Sequence, residues 1–144
     1  MLRNGRGVDN DFRAHHWLYR RCVKEDVQGD QLLPARISYD DASVNWSKYS
    51  WPWDVIFDHP GQGVARWVVD DLPHDLPENP PPKTNVEMHD FRPKHVPLDE
   101  NYSHSEIQVY RSGQPLQRLS SNLVKKEYRT IMGERSLVLI QPQV

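Results

Sequence analysis

Apolar and aromatic positions in much of this chain recur with a period of two, which predicts strands rather than helices. From Trp17 to Val23, the residues Trp17, Tyr19, Arg21 and Val23 fall on one side and Leu18, Arg20 and Cys22 on the other, the pattern of a half-buried strand. Val64 to Val69 is β-branched and aromatic on both faces, as suits a central strand. From Ser103 to Tyr110, Ser105, Ile107 and Val109 share one side and His104, Glu106, Gln108 and Tyr110 the other. Leu137 to Ile140 reads as a last buried strand ended by Pro142, with Val68 and Leu139 as core positions. Two stretches carry helix signals instead. Ser120 or Ser121 caps a helix with Val124, Tyr128, Ile131 and Met132 on one face and Gly133 at its C-terminal stop. Ser50 before Trp51-Pro52-Trp53-Asp54 predicts a short helix to about Phe57, broken by His59-Pro60-Gly61.

The connections follow from turn chemistry. Lys24 to Gln31 is polar and turns at Gly29, whereas Arg36 to Tyr49, with Ile37, Tyr39, Val44, Trp46 and Tyr49 as anchors, fits short strands or a structured loop. Asp70 to Lys83 holds Pro73, Pro77, Pro80, Pro81 and Pro82, so it is expected outside any ladder as an exposed connection. Thr84 to Met88 reads as a short strand, followed by a second loop punctuated by Pro93 and Pro97. Residues 1–14 lack an apolar period and are expected to form a flexible segment before a single globular domain over 15–144. Strands and helices do not alternate as in βαβ units. The expected fold is therefore a small α+β domain, a mainly antiparallel twisted sheet with two short helices and proline-rich loops.

Composition narrows this further. Only 37% of the 144 residues are apolar, below the roughly 45–50% of ordinary domains, so the core must lean on its 5 Trp, 6 Tyr and 3 Phe. With 18 basic and 20 acidic residues the net charge is −2, which argues against general nucleic-acid binding. The single cysteine, Cys22, excludes an internal disulfide and fits a small buried hydrophobe. No aliphatic run approaches the roughly 20 residues of a membrane helix, and no apolar leader is seen, so a cytoplasmic location without membrane partners is expected.

Functional side chains concentrate between His95 and Glu106. On a strand, His104 and Glu106 share a face at roughly 6–7 Å spacing, close enough for the carboxylate to orient an imidazole for proton transfer, with His95 as a third catalytic group. Two imidazoles and a carboxylate also suit a metal-dependent enzyme, although the H-x-E spacing on its own does not specify a metal site. Arg20, Ser43, Asn45, Ser47, Tyr49 and Tyr102 are the candidate ligand-binding residues: a guanidinium for an anion, and hydroxyls, an amide and aromatic rings for a base or ribose. Each also has a plainer role, since strand arginines are commonly ion-paired and Ser, Asn and Tyr pin loops. No pattern names a cofactor.

An Arg on the first strand, a Ser-rich strand after it and a Glu on a late strand resemble, in order, ADP-ribosyltransferase domains of the Arg-Ser-Glu class. The resemblance would give Arg20 the phosphate of NAD, Ser47 a supporting role and Glu106 the activation of the attacking group. The Ser-Thr-Ser signature of that class is not present, and His104 stands where a Glu or Gln is often found. The residues thus support a His/Glu/Arg pocket for a nucleotide-like anionic ligand. A non-catalytic module that binds a protein partner through Trp46, Trp51, Trp53 and the proline-rich segment is the second reading.

Overall fold

The computed structural model describes residues 6–79 and 87–144. Its strands are β1 (Trp17–Cys22), β2 (Val27–Gln28), β3 (Gln31–Leu32), β4 (Ala42–Trp46), β5 (Gly63–Val68), β6 (Leu76–Pro77), β7 (Met88–His95), β8 (His104–Arg111), β9 (Gln114–Pro115) and β10 (Leu137–Ile140). The helices are α1 (Pro52–Val55) and α2 (Asn122–Arg135). The main sheet runs β10-β5-β1-β4-β8-β7-β6 with every neighbouring pair antiparallel, β9 extends the end of β8, and β2 and β3 form a separate hairpin. This is the α+β architecture expected from the patterning.

Alternation decides which side chains meet α2. Leu18, Val44, Trp46, Ala65, Trp67, Ile107 and Val109 project from alternate strand positions to one buried layer, and Val124, Tyr128 and Met132 of α2, spaced four residues apart, close it. The rings of Phe91 and Tyr128 stack with centroids 3.9 Å apart, and the Trp67 indole donates to the Met132 carbonyl at 2.7 Å. Ser121 caps α2 by accepting from the Val124 amide at 3.2 Å. Gly133 does not stop the helix, which continues to Arg135. A Cβ there would lie 2.9 Å from Pro34 Cγ and 3.1 Å from the Leu32 carbonyl, so the glycine serves close helix packing rather than termination.

Several expectations are corrected by tertiary pairing. Trp46 is fully buried, so it belongs to the core and not to a contact surface. Val68 and Leu139 are only half-buried; the inward positions are Trp67 and Val138, one residue earlier on each strand, because β10 is an edge whose ladder with β5 shifts register between Val138 and Ile140. Leu76-Pro77 enters a ladder with Met88 and His89 despite its prolines, and Leu76 is buried. The rest of the expected exposed connection and the expected strand from Thr84 fall partly on residues 80–86, outside the described residues.

Pro93 lies within β7 rather than in a loop. The Val96 amide bonds the His104 carbonyl and the Ser112 amide bonds the Met88 carbonyl, so even-numbered residues of β7 face β8. The Phe91 amide points the other way, to the Pro73 carbonyl. Pro93 shares the orientation of Phe91, so its missing N–H removes no rung to β8. The short helix is α1 alone, capped at Trp51, whose amide donates to Asp54; the Ser50 hydroxyl instead bonds the Trp46 carbonyl.

Residues 6–14, with the composition of a free terminus, lie against the sheet. Phe12 stacks on Trp46 with centroids 3.8 Å apart, the Asp9 amide donates to His95 Nδ1 at 2.9 Å, and the Asp9 carboxylate accepts from Lys48 at 2.7 Å and from the Tyr49 hydroxyl. The Lys48 and Tyr49 donors hold the Asp9 carboxyl well below the usual carboxylate range.

Candidate functional site

The face of the sheet away from α2 carries the odd residues of β1 and β4 and the even residues of β8. On that face the segment through α1 crosses β1 and β5, burying Tyr19 and Val64. Beside it opens a polar cleft of about 1100 Å³, walled by Asp54, Asp58 and His59 on one side and by Asn101, Tyr102 and His104 on the other.

The cleft exists because two central strands part. β1 and β4 register only Leu18 with Trp46 and Tyr19 with Asn45, while β1 continues to Cys22 beside β5 and β4 reaches back to Ala42 beside β8. The Ser47 amide bonds the Trp17 carbonyl, which shows that odd residues of β1 face β4. The next rung would join Arg21 to Ser43, and it is not formed. Arg20, which projects to the α2 side with Leu18, therefore reaches the cleft through the open seam. Its Nη2 donates to the Arg36 carbonyl at 2.8 Å, whereas its Nη1 is buried without a protein partner. Burial pushes its pKa down, partly offset by Asp26. Asp26 is itself bound by Arg36 at 2.9 Å and by the Val23 amide at 2.9 Å. Cys22 also lines the seam, but burial pushes its thiol up to about 11, so it stays protonated and unreactive at neutral pH.

Register brings Ser43, Asn45, His104 and Glu106 together, with Ser43 opposite Glu106 and Asn45 opposite His104. His104 Nδ1 donates to the Val96 carbonyl at 2.8 Å, which leaves Nε2 bare and 3.4 Å from Ser43 Oγ. The Asn45 carboxamide oxygen accepts from Asn101 Nδ2 at 2.7 Å, which fixes the orientation of the group.

No protein-family model, curated protein or solved structure matches this chain. Of the expected residues, Arg20, Ser43, Asn45, Tyr49, Tyr102 and His104 line the cleft, and His95, Glu106 and Ser47 do not. His95 pairs with Ser105 on the core side; its Nε2 donates to the Tyr102 carbonyl at 2.6 Å and its Nδ1 accepts from Asp9, so both ring nitrogens are engaged by backbone. The Ser47 hydroxyl accepts from the Trp17 amide at 2.8 Å and ties the start of β1 to the end of β4. Of the order Arg20, Ser47, Glu106, only the arginine lines this space. Among the described residues, no three His, Cys, Asp or Glu side chains converge as a metal site requires, and no helix is long and apolar enough to cross a membrane.

Sequence reasoning missed the Arg21 contact with His59, which ties β1 to the α1 segment across the cleft. It also missed Asn101 as the support of Asn45, although the polar run between Leu98 and His104 was a visible signal. On the outer side of the α1 segment, Trp51 and Trp53 are 65% and 62% exposed with parallel rings 5.8 Å apart, and Phe57 is 84% exposed.

Proposed function

We propose that the protein is a binding domain for a small polar ligand that enters the open seam and places an anionic group against Arg20. The observation that carries this reading is the buried Nη1 of Arg20, a cationic donor without a protein acceptor on a residue that lines the cleft. An oxyanion there completes its hydrogen bonding and offsets the loss of hydration that lowers its pKa. Arg21 adds a second guanidinium on the cleft side, and Asp26, the carboxylate whose charge acts on Arg20, is ion-paired with Arg36. The rim carboxylates Asp41, Asp58 and Glu100 disfavour a densely charged polyanion and favour a ligand with one anionic end and a hydroxyl-rich remainder, which Ser43, Asn45 and Tyr102 can hydrogen-bond.

The test is a thermal-shift series with inorganic phosphate, nucleoside monophosphates, NAD and the matching uncharged nucleosides. A ligand bound only by the folded chain adds about 2.7 kcal/mol at roughly one hundred times its Kd. Stabilisation by a phosphate-bearing compound that Arg20→Met abolishes is the expected result; a set of anions that leaves the melting curve unmoved overturns the reading.

The exposed Trp51, Trp53 and Phe57 favour a second reading, a protein-contact surface on the α1 segment. Trp46 is not part of it, and prolines 80–82 lie outside the described residues.

A further inference from the structure

We propose that the cleft hydrolyses a carboxylic ester, with Ser43 as nucleophile, His104 as its general base and Asn45 as the donor to the developing oxyanion. The inference rests on the reading of the cleft as the ligand site and names the chemistry done there.

Three observations carry it. First, the antiparallel register of β4 and β8 makes Ser43 and His104 diagonal neighbours on the cleft side, both lining it, with Ser43 exposed to solvent. Second, the imidazole is held in one tautomer: Nδ1–H is committed to the Val96 carbonyl at 2.8 Å, so the bare nitrogen is the one that faces Ser43 Oγ. This is the base-and-orienter arrangement of an activated hydroxyl, with a backbone carbonyl in the place of the usual carboxylate. The 3.4 Å separation is long for a proton transfer, and such contacts tighten when substrate fills an empty site. Third, Asn45 lies two residues from Ser43 on the same face, and the bond from Asn101 to its Oδ1 leaves its amide nitrogen as the free end. A side-chain amide so oriented is a recognised type of oxyanion donor.

The reaction balances with water as the only co-reactant. Ser43 Oγ forms a bond to the ester carbon as its proton passes to His104 Nε2, and the carbonyl electrons move to an oxyanion that accepts from Asn45 Nδ2. The oxyanion collapses, the bond to the alcohol oxygen breaks, and His104 returns its proton to that alcohol, which leaves an acylated Ser43. Water then attacks the acyl carbon while giving a proton to His104, and the bond to Ser43 breaks as Oγ recovers the proton. Arg20 sets which esters fit, namely those whose acid or alcohol portion carries a second, anionic group.

The decisive experiment treats the unaltered chain with a fluorophosphonate, a probe that phosphorylates serines activated by a base, and follows intact mass and the labelled peptide. The expected result is one adduct at Ser43, formed at least about 100-fold more slowly in His104→Asn, with turnover of a p-nitrophenyl ester reduced about 100-fold or more in Asn45→Ala. An unlabelled native chain, an adduct at another residue, or an equal labelling rate in a folded His104→Asn overturns the proposal. Should His104→Asn fail to fold, the native labelling and the Asn45→Ala turnover still decide the matter. Anion-dependent thermal stabilisation of the native chain by inorganic phosphate, which carries no ester to hydrolyse, is measured separately. If it is present while the native chain stays unlabelled, binding stands and hydrolysis falls; labelling without anion stabilisation separates them the other way.

Discussion

The layer under α2 and the segment around α1 use the same residue types in opposite ways. Trp46 and Trp67 are fully buried, while Trp51 and Trp53 stand mostly in water, as does Phe57. The first two sit at alternating positions of strands that have neighbours on both sides, so the pleat directs them inward. The other two sit at the N-cap and the second position of a helix of four residues, too short to present a buried stripe. A chain with few apolar residues has thus closed its core without them. The packed layer is the one under α2, and the exposed rings take no part in it.

The sharpest test of that division is Trp67→Ala. Trp67 is 1% exposed and loses both its packing and its indole bond to Met132. The expected cost is about 3–5 kcal/mol, read from urea denaturation. A cost below about 1 kcal/mol breaks the assignment of stability to this layer.

How far the sequence revealed these regions depended on whether the signal was local. β1, β5, β8 and α2 declared themselves because Leu18, Trp67, Ile107 and Tyr128 recur at the period of their own element. Pro93 misled because a proline is excluded only from the bonded side of a strand, and which side of β7 is bonded is set by its pairing with β8, a segment later in the chain. His104 was legible as a polar position on an alternating strand, and Ser43 and Asn45 as polar residues of a stretch that fitted short strands or a structured loop. Their meeting was not, because it depends on the pairing of β4 with β8, and the seam that admits Arg20 depends on a rung that β1 and β4 do not form. The arm contacts of Asp9 and Phe12 had no local signature at all.

A smaller effect separates the two regions by pH. His89 is 2% exposed at the β6–β7 pairing, and burial lowers its pKa, with Arg111 adding to the shift and Glu78 and Glu87 opposing it. The folded state therefore binds a proton less readily than the unfolded one. The stability this confers is full above the ordinary histidine pKa near 6.5 and is lost as pH falls from there through the lower folded value. Denaturation series between pH 7.5 and 5 should show unfolding free energy falling by up to about 1.4 kcal/mol per pH unit from this group. In His89→Leu the dependence should be flatter; an identical slope in both proteins removes His89 as its source.

The smallest expected effect on stability, and the one that most defines the α1 segment, belongs to the double substitution Trp51→Ser and Trp53→Ser. Each indole is nearly two-thirds exposed, and the two stack chiefly on each other. Removing both forfeits that mutual contact but opens no cavity, since neither ring enters the core layer. The bond that caps α1 runs from the Trp51 amide to Asp54, which serine preserves. The unfolding free energy should therefore change by no more than about 0.5 kcal/mol, the range of substitutions away from buried features. Retention on a hydrophobic-interaction column should nevertheless fall clearly, because the two stacked rings are large apolar side chains mostly open to solvent. A stability loss comparable to that of Trp67→Ala would mean that the rings brace the α1 wall of the cleft. The contrast between the two regions would then be one of degree, and the contact reading would lose its basis.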